Sequence, residues 1–310
     1  MSTAIAISVR HTVTAEAISS CLGEAACKYA LNKKRGGSNG KKGTRYEDFF
    51  LAYKTAEAAS QHSFSFDAWP YLEGQTLGFV DDAVLHKKDN AAHYQLKNVK
   101  AITWTGGEHP IETDFSYQIA LSTSLLQPSP STSLVVSDKA LRDELLGSMP
   151  ESIKAHSDVE FFPYGDGSFN RLVLEYPFIQ DVLRPLSKSL SPTMDELVSV
   201  YGVLILGCML HPEGASVDEI IRSAKRYVPD QLGSIGVVDM KKFVTPEFVH
   251  ILGAIPGLVY AFDKGFFSWK AFGTSGVFEV DCSTEQFKQF QATVIQQQPA
   301  TFDEFEGLLP

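Results

Sequence analysis

Two short segments carry the residues best suited to chemistry. Phe79-Val80-Asp81-Asp82-Ala83-Val84-Leu85 and His93-Tyr94-Gln95-Leu96-Lys97-Asn98 each read as a strand rich in apolar and aromatic residues, and the seven residues between them, His86 to Ala92, are mostly polar. Side chains alternate along a strand, so Gln95 and Lys97 share a face while Leu96 points into the core. Pairing of the two as a hairpin sets one carboxylate, Asp81 or Asp82, beside the Gln/Lys pair. A carboxylate, an amide and an ammonium on the edge of a sheet make a divalent-cation site with a fixed positive charge alongside, which suits hydrolysis of a phosphodiester. Mg²⁺ takes oxygen ligands, keeps several waters and needs only one or two carboxylates besides substrate phosphate. Asp81 or Asp82 supplies the carboxylate, and the Gln95 amide or the Leu96 carbonyl a further oxygen. Lys97 is placed to orient a water or to neutralise charge developing on phosphate. A third acidic group lies upstream at Glu47, in the run Thr44-Arg45-Tyr46-Glu47-Asp48-Phe49 that opens a helix. Thr44-x-x-Glu47 also reads as a capping box, and the two roles are compatible.

The elements that must position these residues follow in order. Asp114 to Leu126 reads as an amphipathic helix with apolar residues at 115, 119, 121, 125 and 126. Ser133 to Ser137 is a short buried strand, Lys139 to Leu146 a helix capped by Ser137 or Asp138, and Val159 to Phe162 one more strand before Pro163.

An acidic residue on a first helix, Asp on one strand and Gln-x-Lys on the next resembles the PD-(D/E)xK nuclease superfamily. In its Gln form the pattern is most similar to the Mrr-like branch and to the double-stranded DNA nuclease effectors of bacterial antiphage systems. The resemblance covers about residues 40 to 165. It implies an α/β fold with a restriction-endonuclease-like core, a mixed sheet flanked by helices. It places the family's helix glutamate on Glu47, its aspartate on Asp81 with Asp82 as the other candidate, its Glu-or-Gln ligand on Gln95 and its lysine on Lys97. Glu47, Asp81, Gln95 and Lys97 are thus the expected catalytic set. Glu47, Asp81, Asp82, Gln95 and Leu96 are the expected ligands of Mg²⁺ or Mn²⁺. The implied substrate is DNA, cut in bacterial defence. Because an unrestrained nuclease would damage its host, a protein partner or a homo-oligomer is expected to restrain or activate it.

Composition bounds the rest. The chain has 310 residues, 44% of them hydrophobic and 21% charged, an ordinary globular mixture. That length accommodates two domains, expected here as 1–167 for the nuclease-like part and 168–310 for a helical, winged-helix-like part. Helices beginning at Thr193, at Ser216 (boxed by Glu219) and at Thr245-Pro246, then a hairpin turning at Asp263-Lys264-Gly265, carry that second expectation. Its third helix, 246–254, holds no Lys or Arg, which disfavours base reading in a major groove and favours protein contact. The tail from Gln286 is rich in Gln and acids and is expected to be partly disordered.

The formal net charge is −10, an unpromising total for a nucleic-acid binder, but its distribution is uneven. Lys33, Lys34, Arg35, Lys41, Lys42 and Arg45 fall in one acid-free stretch just ahead of Glu47, read either as a DNA-contacting clamp or as a solvated loop. Trp104 lies in a loop after the Gln-Leu-Lys strand and reads as its anchor. No apolar run is long enough to span a bilayer, so no membrane association is expected. The four cysteines form no C-x-x-C pair, no secretory signal is expected from the N-terminal residues, and a reducing cytoplasm is the expected compartment. Two other classes remain, a catalytically inactive nuclease-fold scaffold and a DNA-binding regulator working through its C-terminal part within a multi-protein complex.

Overall fold

The computed structural model describes residues 13–39, 44–62, 69–88, 90–107, 109–125, 130–189, 191–228, 232, 243–263, 266–278, 280 and 282–309. The chain opens with helices α1 (Ala15–Leu22), α2 (Glu24–Asn39) and α3 (Thr44–His62). Strands β1 (Tyr71–Gly74), β2 (Ala83–Lys87) and β3 (Asn90–Lys97) then form an antiparallel meander. Helix α4 (Ile111–Ser124) crosses over to β4 (Ser131–Val136), which lies parallel to β3. Helices α5 (Lys139–Gly147) and α6 (Glu151–Lys154) return the chain to β5 (Ser157–Phe161), parallel to β4. With β6 (Ala215–Ser216) antiparallel to β1, the strands form a mixed six-stranded sheet in the order β5-β4-β3-β2-β1-β6. Parallel neighbours need such helical crossovers, and the fold is α/β with helices on both faces.

Alternation along the strands explains the layers. Ala83, Leu85, Tyr94, Leu96 and Val135 meet Tyr46, Phe49 and Phe50 of α3 on one face. Leu134, Val136 and Val159 meet Ile111 and Phe115 of α4 and Leu141 and Leu145 of α5 on the other. Being covered on both sides, β4 is buried from Thr132 to Val136, as its unbroken run of short and apolar residues suggests. Asp138, one of the two expected caps, accepts from Leu141 N at 2.9 Å at the start of α5.

The expected domain boundary at 168 does not match the packing. Helices α7 (Phe169–Glu175), α8 (Pro177–Leu183), α9 (Met194–Met209) and α10 (Val217–Tyr227) bury Leu172, Ile179, Leu197, Val200 and Ile220 in the same core as α3. Tyr201 donates its hydroxyl to the Phe49 carbonyl at 2.6 Å, tying α9 to α3. Gly207 lets α9 approach α10, since a Cβ there would stand 2.9 Å from the Ile220 carbonyl oxygen. Two of the three helices expected to form a winged helix therefore complete the first core. The Thr193/Glu196 capping box of α9 is present, whereas Ser216 spends its hydroxyl on Asp218 and gives α10 no side-chain cap.

A second core begins at Val244. It joins α11 (Pro246–Ala254), β7 (Val259–Asp263), β8 (Phe266–Ala271), β9 (Thr274–Val277), α12 (Glu285–Gln297) and α13 (Phe302–Glu306). The expected hairpin is β7–β8, extended by β9 into an antiparallel sheet, and the residues of its turn, Lys264 and Gly265, lie outside the described residues. The tail is helical rather than disordered. Phe287, Phe290 and Val294 recur at helical spacing along α12, and with Phe305 they pack on Phe248 and Phe267.

Candidate active site

The candidate residues meet at the end of the β1–β2–β3 meander. Beyond the last paired residues, Ala83 opposite Tyr94, the register continues to Asp82 opposite Gln95. Asp82 and Gln95 are accordingly bonded, the Gln95 amide donating to Asp82 Oδ2, which also accepts from Leu96 N at 2.7 Å. The expected strand 79–85 is shorter than anticipated, and Asp81 and Asp82 stand just ahead of β2. That approach is held by hydrogen bonds from outside it. Gln118 Oε1 on α4 accepts from Phe79 N at 3.0 Å, Thr76 N donates to the Asp81 carbonyl at 3.0 Å, and His93 Nδ1 lies 3.3 Å from the Val80 carbonyl.

Asp81 faces a different partner. Lys33, on α2, lies 3.3 Å from Asp81 Oδ1, 3.1 Å from Asp114 Oδ2 and 3.0 Å from Gln95 Oε1, and it also donates to the Phe79 carbonyl. An ammonium only donates, so it takes the oxygen of the Gln95 amide and leaves the NH₂ for Asp82. Burial works against the Lys33 charge, but Asp81 and Asp114 outweigh it and its pKa is raised. Burial holds Asp81 above the usual carboxylate range although Lys33 pulls it down. Tyr29, one turn before Lys33, donates to Asp114 Oδ2 at 3.1 Å and stacks on His109 with ring centroids 4.1 Å apart.

Two expectations are corrected here. The stretch Asn32 to Asn39 is the end of helix α2 rather than a loop, and Lys33 is turned into the protein as a partner of Asp81, so it is no surface clamp for DNA. The aspartate facing the Gln-x-Lys strand is Asp82, and Gln95 presents nitrogen to it, so Gln95 clamps Asp82 instead of offering it an adjacent oxygen ligand.

Glu47 stands in the first turn of α3, where its carboxylate accepts from Gln75 Nε2 at 2.9 Å. Burial first, then the charge of Asp82, pushes its pKa up to about 7, while Gln75 and Lys97 pull the other way. Glu47, Asp82 and Lys97 are therefore electrostatic neighbours. The side chain of Thr44, the other half of the expected capping box, lies outside the described residues. Lys97 ends β3, half-buried, and just past it Asn98 and Lys100 line a cleft with Tyr164 and Arg171.

Among the described residues no three His, Cys, Asp or Glu side chains stand together as a metal-holding group. Two carboxylates with water and phosphate oxygens still meet the needs of Mg²⁺ or Mn²⁺, and the proton that Glu47 holds up to about 7 is what a cation would displace. Glu47 and Asp82 fit that role, with Leu96 tied to the Asp82 carboxylate through its backbone N–H. Of the cationic run, Lys34 and Arg45 are exposed, Arg35 lies on α2 with its side chain outside the described residues, and Lys41 and Lys42 lie outside them altogether.

Asp114, Gln75 and Gln118 were not singled out from the sequence, and Lys33 was read only as one cation of the basic run. Helical spacing would have found three of these four. Lys33 continues the buried stripe of Ala26 and Ala30, and Asp114 and Gln118 fall on the α4 face carrying Ile111, Phe115 and Leu121. Trp104 is the loop anchor it was read as, buried against Phe115 and donating Nε1 to the Leu145 carbonyl at 2.9 Å.

No protein-family model, curated protein or solved structure matches the chain. No helix among the described residues is long and apolar enough to cross a membrane.

Proposed function

We propose that the chain is a metal-dependent phosphodiesterase of PD-(D/E)xK type that cuts DNA. The observation carrying this reading is the register that sets Asp82 against Gln95, two residues from Lys97, with Glu47 close enough for Asp82 and Lys97 both to move its pKa. The helix, three strands, helix, strand order of α3 to β4 supports it, since the resemblance implies that order. Glu47 and Asp82 would hold Mg²⁺ or Mn²⁺, which when bound supplies a polarised phosphate and a water of lowered pKa. The Leu96 amide and the Gln95 NH₂ fix the Asp82 carboxylate so that it does not turn away. Lys97 offsets negative charge gathering on the scissile phosphate, and Lys34 and Arg45 are available to the flanking backbone.

A role in bacterial defence, with a partner or a second copy restraining the enzyme, rests on the resemblance alone. A second reading, an inactive scaffold, is favoured by one observation, the Lys33 ammonium seated against Asp81 and Gln95. The test is cleavage of plasmid and linear DNA with Mg²⁺, Mn²⁺ or EDTA by the parent, Asp82→Asn and Lys97→Ala. Metal-dependent cutting reduced by about 10²–10³ in Lys97→Ala and lost in Asp82→Asn is the expected result. Cutting that survives both substitutions rejects the assignment. No cutting, together with no Mn²⁺ bound by the parent, selects the scaffold.

A further inference from the structure

The Lys33 ammonium sits in a cage of oxygens drawn from four residues in three stretches of the chain. Asp81 Oδ1 comes from the approach to β2, Asp114 Oδ2 from α4, Gln95 Oε1 from β3 and the Phe79 carbonyl from the segment between β1 and β2. Two carboxylates, an amide oxygen and a carbonyl are the ligand types that hold hard cations in proteins. Asp81 is 2% exposed, and its Oδ1 has no hydrogen-bond partner among the described residues, although it lies 3.3 Å from the ammonium. A buried carboxylate oxygen aimed at a cation without a hydrogen bond is held there by charge.

We infer that this cage is a second cation site, filled by the chain's own Lys33, so that the protein takes a single divalent ion, on the Glu47–Asp82 side. The inference rests on the proposed function for that first ion and adds to it what fills the neighbouring position. The charges support it. With Lys33 in place, the carboxylates of Glu47, Asp48, Asp81, Asp82 and Asp114 still outnumber the ammoniums of Lys33 and Lys97, so the cluster keeps the negative charge that draws a divalent cation. Gln95 couples the two halves: its oxygen on Lys33 dictates that its NH₂ faces Asp82. Lys33 is thereby also a positioning residue for Asp82, reached through one amide.

The test counts Mn²⁺ ions by calorimetry and by electron paramagnetic resonance in the whole chain. The parent is expected to bind one. Lys33→Ala, which removes the charge and empties the cage, is expected to bind two, and Lys33→Ala/Asp114→Asn to return to one. A Lys33→Ala protein with the parent's circular dichroism and the parent's stoichiometry overturns the inference, as does a parent that binds two ions. A parent that binds none while Lys33→Ala gains one supports the cage and rejects the Glu47–Asp82 site instead. Because Lys33→Ala adds a cavity, the parent itself supplies a second measurement. The ¹⁵N signal of Lys33 Nζ, assigned from its loss in Lys33→Arg, is expected to be protected from exchange and unchanged at saturating Mg²⁺. Its release on adding Mg²⁺ marks a displaceable plug and overturns the inference.

Discussion

Replacing Glu47 by Gln tests the electrostatics of the site without needing a substrate. Its carboxyl is raised from an ordinary 4.5 to about 7. A raised carboxyl means that the folded protein binds more protons than the unfolded chain between those values, so stability falls as pH rises through them. The penalty is absent below about pH 4 and complete above about pH 8. Each pH unit of displacement corresponds to ~1.4 kcal/mol, but the group is only partly buried, and solvent screening cuts the total to about 1–2 kcal/mol. Glu47→Gln keeps the size of the side chain and an oxygen to accept from Gln75, and loses the ionisation. Urea unfolding in EDTA at pH 4 and pH 8, followed by circular dichroism, should therefore show the variant gaining about 1–2 kcal/mol over the parent between the two pH values. Asp48 and Asp81 are raised as well and slope the same way, but they are present in both proteins and cancel to first order in the comparison. Mg²⁺ should remove the parent's loss at pH 8, by ~2.7 kcal/mol at a hundredfold excess over its Kd, and should do little for the variant. Parallel pH profiles for the two proteins would refute the reasoning, since the ionisation would then lie elsewhere.

Other outcomes follow from the same structure. Asp82→Asn should weaken Mn²⁺ binding far more than Asp81→Asn does, because Asp81 is already balanced by Lys33; equal losses measured by calorimetry would contradict the division of the two aspartates. Tyr201→Phe removes the 2.6 Å hydrogen bond from α9 to the Phe49 carbonyl, which keeps its place in the α3 helical ladder, a cost of about 0.5–1.5 kcal/mol in urea unfolding. Phe287→Ala, at a fully buried position of the second core, should cost about 3–5 kcal/mol there, with amide exchange rising in α11 to α13 and little changed in β2 to β4. Exchange that rises equally in both cores would show that they unfold together.

Much of the first half of the fold was legible in the sequence. Phe49 and Phe50 on α3, the Asp138 cap of α5 and the buried run of β4 are local signals, written by helix capping and by apolar periodicity, and each element formed within a few residues of its expected place. The Gln-x-Lys strand was equally plain, because alternation alone puts Gln95 and Lys97 on one face. The short strand β1 was missed, since four residues carry too little pattern to be seen without the strand they pair with.

Tertiary structure decided the rest. Which of two adjacent aspartates faces Gln95 depends on the β2–β3 register, and a shift of one residue exchanges them. Whether α9 and α10 belong to the first core or the second depends on which apolar surface lies nearest, since α9 is apolar nearly all round and the apolar stripe of α10 would fit either. Lys33 makes the point most sharply. In sequence it is one cation in a basic run, set apart from Lys34 beside it only by its helical phase with Ala26 and Ala30. A helix turns successive residues by about 100°, so Lys33 faces Asp81, Asp114 and Gln95, whose carboxylates and amide oxygen stabilise a buried ammonium, while Lys34 is left exposed to water. Local sequence set the types of residue available. Long-range packing chose which of them meet, because charge and burial are properties of neighbours that the chain brings together only by folding.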